Sequence, residues 1–426
     1  MSKHLLRNLP ELVSAHIISP ETADRIRDFY AQRQESTPNR LLVVFGILGA
    51  LLTGLGIILI IAHNWYNMGK VGRLIIAFLP MLAGQIVCGY TLFKNKGNPI
   101  WRESSATFLF FSIGASISIV SQVYNIDGKL GEFLFWWMIL SLPVIYVMPS
   151  SMVSLLYLVG ITWYACSIGY FEYPQENPVL YWPLLLAVIP HYTSLSGSHE
   201  NFFNFHSWLI SISLVICFGT LSSGNGELMT VAYMGMFCVL LLLGQMEPFS
   251  KKRLITNAFL VVGSVGIISI LLYLSFRDFW YGLGGVDINF RTEANELSGA
   301  IISTLLAAYM IYRKWRLSSW RDINPKSWAF VAVILLFVVG FSAPLVSVVA
   351  VNILLLFYSV TTIVSGARAG SFGILNYGLL ILTALITCRF FDTDLSFIIR
   401  GLLFVGVGAG FFLLNYYMIK RKSQAS

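Results

Sequence analysis

Residues 41–65 read LLVVFGILGALLTGLGIILIIAHNW: twenty-two uncharged residues followed by the polar triplet His63, Asn64, Trp65. At about 1.5 Å per residue, that uncharged run makes a helix roughly 33 Å long, enough to cross a hydrocarbon layer of about 30 Å. No soluble core asks a helix for so long a stretch without a charge. The run sets the fold class, and its polar ending falls where hydrocarbon gives way to headgroups.

Outward from this stretch the same solution recurs. Further apolar runs lie near 74–93, 105–124, 133–148, 152–171, 179–193, 202–221, 228–246, 254–276, 297–312, 327–341, 344–364, 371–388 and 398–418, which makes about fourteen spans in all. Those at 133–148, 179–193, 297–312 and 327–341 are short for a perpendicular crossing, so the pattern allows twelve to fourteen. Composition agrees: 57% of the residues are apolar and 11% charged, against about 25% charged in soluble domains. The expected fold is an all-α polytopic integral membrane protein. Residues 1–40 are expected to form a short cytoplasmic helical hairpin, residues 41–165 the first membrane helices and residues 166–426 a further helix bundle. In the hairpin, Ser19, Pro20 and Glu21 supply a cap, a first-position proline and an early acid. The polar first 40 residues and the length of the first run argue against a cleaved signal peptide.

Charge orients the chain. Most of the 28 Lys and Arg residues fall in residues 1–40, 94–102, 251–253, 313–326, 368 and 420–422, which an even number of crossings places on one side. The positive-inside rule then puts both termini in the cytoplasm. The net charge of +8 is spread over short gaps rather than one basic face, so nucleic acid is not an expected partner. The five cysteines sit inside apolar runs without metal-ligand spacing, and no Walker, nucleophile-elbow or HExxH motif occurs. Neither a catalytic residue, a metal site nor a cofactor is expected.

Two groups of polar residues draw attention. On the outer face, His63, Asn64 and Trp65 end the first span, Arg73 precedes the second, and Gln122, Tyr124, Asn125 and Asp127 end the third. Amide and imidazole groups at the edge of hydrocarbon need partners and can offer themselves to a ligand or a protein. On the inner face, Glu103, His191, His199, His206, Gln245 and Glu247 form a second set, in which snorkelling side chains are favoured over a metal site because the histidine spacing fits no known geometry. No charge falls near the middle of any span, and Gln85, Asn257, Asn352, Asn376 and Asn415 are expected to tie helices together. Close helix approach is expected at Gly46, Ala50 and Gly54 and at Gly406 and Gly410, and prolines 80, 143, 183 and 190 as points where spans bend or break.

Ala62-His63-Asn64-Trp65, Trp101-Arg102-Glu103-Ser104 and Gln122-Val123-Tyr124-Asn125-Ile126 resemble the A-x-N-W, W-x-E and Q-x-Y-x-I pattern of a bacterial predicted-membrane-protein family, domain of unknown function 2157. The likeness covers about residues 1–165. His63 stands at the variable position and Asn125 where a His is frequent, which argues against a histidine-based role at that site. The family implies a bacterial inner-membrane location and no established activity. Three readings remain open: a transporter-like or flippase-like protein for a small neutral or lipid-borne molecule, a membrane scaffold or assembly partner docking through residues 1–40, and a glycan or lipid transferase using Arg277 and Arg291.

Overall fold

The computed structural model describes residues 9–15, 17–35, 52, 68–95, 97–173, 175–197, 200–222, 226–283, 293–317 and 324–392, with scattered positions between 398 and 412. All regular structure among these is helical. Two compact units divide the chain, residues 1–76 and 77–426.

The first unit holds helical residues 9–14, α1 (Pro20–Glu35) and the start of α2 (Lys70–Lys94). Ser19 caps α1 as its spacing predicts, its Oγ accepting from Thr22 N at 3.2 Å. The span at 41–65 lies outside the described residues, apart from Leu52, and so do Gly46, Ala50 and Gly54.

In the second unit α2 continues and is followed by α3 (Pro99–Tyr124), α4 (Leu130–Val147), α5 (Ser151–Cys166), α6 (Tyr181–Ser194), α7 (Glu200–Phe218) and α8 (Gly226–Gly244). Then come α9 (Ala258–Leu274), the short α10 (Arg277–Gly282), α11 (Ala294–Leu317), α12 (Ala329–Gly340), α13 (Pro344–Arg368) and α14 (Phe372–Asp392). Nine helices among the described residues are long and apolar enough to cross a membrane, so the protein is membrane-embedded. Two runs that looked short are full length, since α4 has 18 residues and α11 has 24. Two others stay short: α6 has 14 residues and α12 has 12, about 21 and 18 Å of helix.

Helix ends follow local chemistry. Asn98 caps α3 through its side chain, with Pro99 at the first position, and Asn125 closes the helix in the left-handed conformation (φ 48°). Ser150 caps α5, and Asn257 caps α9. Helices run through Pro80, Pro143 and Pro190 without a break. The irregular stretch is instead a π turn at Ser167–Phe171, which extends α5.

At the centre of this unit lies α8, against which α9 and α11 pack. The approach to α9 is close: a Cβ at Gly263 would stand 2.4 Å from Leu241 N. Gly366 does the same for α13 against α14, where a Cβ would meet Leu375 N at 2.4 Å. No described atom lies within 4 Å of a Cβ built at Gly406 or Gly410. Two of the buried amides tie helices as expected. Asn257 donates to Gly244 O at 2.8 Å and Phe249 O at 3.1 Å, and Asn352 donates to Ser275 O at 3.3 Å. Gln85 and Asn376 are exposed, and Asn415 lies outside the described residues.

Candidate functional site

His63, Asn64 and Trp65 of the outer group lie outside the described residues. Arg73 is half-buried in the first turn of α2, in the unit of residues 1–76. In the other unit, Gln122, Tyr124, Asn125 and Asp127 are all exposed at the end of α3. Asn125 has a conformational task there. The turn it makes lets Ile126 N donate to Ser121 O at 2.9 Å, closing the helix.

The inner group is partly assembled. Because Asn98 and Pro99 start α3, Trp101 and Arg102 lie in its first turn with Glu103 just after it, and the Glu103 carboxylate reaches the start of α5. It accepts from Ser151 N at 3.1 Å, from Met152 N at 2.9 Å and from the Ser150 hydroxyl, while Ser150 Oγ accepts from Val153 N at 3.2 Å. Three amides that no helix can satisfy internally are thereby satisfied, and the negative charge sits at the positive end of the helix dipole. The Arg102 guanidinium lies 3.8 Å from the same carboxylate.

Beside it, His206 of α7 is fully buried. Its Nδ1 lies 2.8 Å from Phe202 O, and a carbonyl only accepts, so that nitrogen carries the hydrogen. Its Nε2 lies 2.9 Å from Ser154 Oγ of α5. His191 of α6 has its ring centre 6.1 Å from that of His206 and 6.5 Å from that of Tyr146. Its Nε2 is buried with no hydrogen-bond partner among the described residues. Four helices, α3, α5, α6 and α7, thus bring a half-buried carboxylate, hydroxyls and two buried imidazoles into one region, where His191 Nε2 and Arg102 Nε, among the described residues, are buried without a hydrogen-bond partner. Such groups can offer hydrogen bonds to a small polar group.

The other members of the inner set do not join it. His199 lies outside the described residues; Glu247 is exposed and pairs with Lys251 at 3.1 Å; Gln245 bonds Ser327 Oγ at 3.3 Å and accepts from Lys314. Among the described residues no group of three His, Cys, Asp or Glu side chains is placed to hold a metal ion.

A residue that linear reading missed is Lys326. Counted by sequence it belongs to a basic loop, because the apolar run begins at residue 327. In the structure Asn324 caps a 3-10 turn, Pro325–Trp328, that lies inside the bundle ahead of α12, and Lys326 is only 6% exposed. The reading of Lys326 as part of a basic loop fails here: its side chain is buried, at the start of a helical segment rather than near the middle of a span. A local signal for it exists: an Asn-Pro start places Lys326 in the first turn of an otherwise wholly apolar helix.

Residues 10–154 match a protein family described as Predicted membrane protein (DUF2157). The matched segment contains Glu103 together with Ser150, Ser151 and Met152, the groups its carboxylate holds. Compared with curated proteins and with solved structures, the chain finds no match.

Proposed function

We propose that this chain is a transporter-like or flippase-like protein of the bacterial inner membrane, moving a small neutral or lipid-borne molecule. The observation that carries the reading is the group of Ser154, His191 and His206, buried among the helices, with His191 Nε2 unpartnered among the described residues. Buried polar groups away from water are costly unless satisfied, and inside a membrane protein they mark interior surfaces that meet polar ligands. Glu103 is fully engaged with α5, so the open position offers a hydrogen bond rather than a charge, which suits a neutral group. Both termini are placed in the cytoplasm, the orientation the Lys and Arg distribution supports.

The test is flux in vesicles containing the purified chain, measured with labelled lipids and with a panel of small neutral solutes. Movement several-fold above that of empty vesicles, reduced by His191→Phe, is the expected result. Flux equal to that of empty vesicles for every probe would overturn the reading.

One observation favours the scaffold reading in its place. In α1 the charged residues Glu21, Asp24, Arg25, Arg27 and Asp28 are exposed while Ala23 is buried, a surface suited to docking a protein partner. Cross-linking from this helix that recovers a second protein would support it. The transferase reading rests on Arg277, which is exposed at the start of α10, and on Arg291. Arg291 lies outside the described residues.

A further inference from the structure

Lys326 is held in place by its surroundings. Asn324 Oδ1 accepts from Lys326 N at 3.0 Å, Tyr358 of α13 donates to Pro325 O at 3.3 Å, the Cys238 thiol of α8 points at Lys326 O at 3.9 Å, and Gln245 reaches Ser327. Side chains from two helices therefore hold this short 3-10 turn in place, where unsatisfied peptide groups would be costly. What this arrangement positions is an ammonium group. Its Nζ donates to Ser264 Oγ of α9 at 3.3 Å and lies 4.7 Å from the centre of the Tyr377 ring of α14. Ser264 Oγ is in turn 3.1 Å from the Tyr377 hydroxyl. Ser264 sits six residues into α9, about 9 Å from its start.

Among the described residues no carboxylate balances this charge: none of the ion pairs within 4.0 Å involves Lys326. The position is unfavourable for a cation in a second respect, since it falls in the first turn of a helical segment, Pro325–Gly340, whose N-terminal end is itself partially positive. A buried, unpaired ammonium beside a helix N-terminus costs several kcal/mol in general, and an arriving anion would relieve both terms together.

We propose that Lys326, Ser264 and Tyr377 form a binding site for a phosphate group. The ammonium supplies a compact point charge of the kind that binds phosphate, and Ser264 Oγ beside it, with the Tyr377 hydroxyl 3.1 Å from that oxygen, adds hydroxyl donors. Tyr377 is half-buried while Lys326 and Ser264 are buried, so the site is reached past Tyr377. The phosphate is either free in solution or the headgroup of a membrane lipid. This site is separate from the histidine nest and does not require that the chain transport anything.

The experiment uses the full chain, purified in a neutral detergent and stripped of lipid. Inorganic phosphate is titrated in while thermal unfolding is followed, with chloride at equal ionic strength as control. Retention of added phosphatidylglycerol is measured by native mass spectrometry, with diacylglycerol, which lacks the phosphate, as its control. Binding of inorganic phosphate points to a soluble ligand; binding of phosphatidylglycerol alone, without diacylglycerol, points to a lipid headgroup. In either case Lys326→Met should weaken binding at least about tenfold, and Lys326→Arg should retain part of it. Should Lys326→Met fail to fold, Ser264→Ala and Tyr377→Phe, which keep the charge, should each weaken binding several-fold. The proposal is overturned if neither probe binds the unaltered chain, or if these variants bind as the unaltered chain does. Because the readout is binding rather than flux, a protein that binds phosphate and moves nothing would refute the transport reading and leave this one standing.

Discussion

The hairpin of α4 and α5 and the turn at Lys326 treat buried charge in opposite ways. At one end of the hairpin Glu103 caps α5; at the other Glu172 accepts from Gly131 N, in the first turn of α4, at 2.8 Å and from Ser167 Oγ at 2.7 Å, with Lys129 Nζ 4.0 Å away. Each carboxylate faces the positive end of a helix, so each is compensated by backbone the fold already contains. Lys326 is a cation beside a helix start and faces hydroxyls and an aromatic ring. The lesson is that burial alone does not identify a working residue. A compensated charge holds the structure together, and an uncompensated one has to be explained by something that binds.

The comparison can be broken by removing the charges one at a time and measuring unfolding in detergent. Glu103→Ala should have the largest effect, a loss of about 2 to 3 kcal/mol, because two backbone amides and the Ser150 hydroxyl lose their acceptor in a partly buried place. Glu172→Ala should lose about 2 kcal/mol, since it removes one backbone and one hydroxyl partner. Lys326→Met should behave in the opposite sense. With no phosphate or lipid present the variant should be as stable as the unaltered chain or more stable by about 1 kcal/mol, because an apolar side chain replaces an unpaired buried charge. A loss there comparable to that of Glu103→Ala would show Lys326 to be a structural member like the two carboxylates. Smallest should be Ser154→Ala, about 1 kcal/mol or less, which takes one hydrogen bond from His206 and leaves its Nδ1 contact intact.

How far the two regions could be read in advance differs for a physical reason. Helix starts depend on neighbours in sequence, so Ser19-Pro20 could be recognised from order alone, and the structure bears it out. Glu103 was visible as part of a motif and as a polar residue entering a span, but its partners are 47 to 49 residues away. His191 and His206 meet each other but are buried rather than snorkelling, and Gln245 and Glu247 have other partners, because depth along the membrane normal says nothing about position around the bundle. Lys326 was misplaced because hydropathy assigns a charge to the nearest loop. The Asn324-Pro325 start marks a helical turn there, but that this turn is drawn in beside α9, α13 and α14 depends on contacts that hydropathy does not show.

By itself the sequence determined that this is a membrane-embedded helical protein, because twenty apolar residues in a row have one low-energy arrangement in lipid whatever surrounds them. It also determined where several helices begin, through side chains bonding amides two or three positions away. Only the tertiary structure decided which buried charges are answered and which are not. Compensation depends on groups from different helices meeting within a few ångströms, as Glu103 meets Ser151 and Lys326 meets Ser264. Such meetings are set by how helices pack, and the spacing of residues along one chain does not contain them.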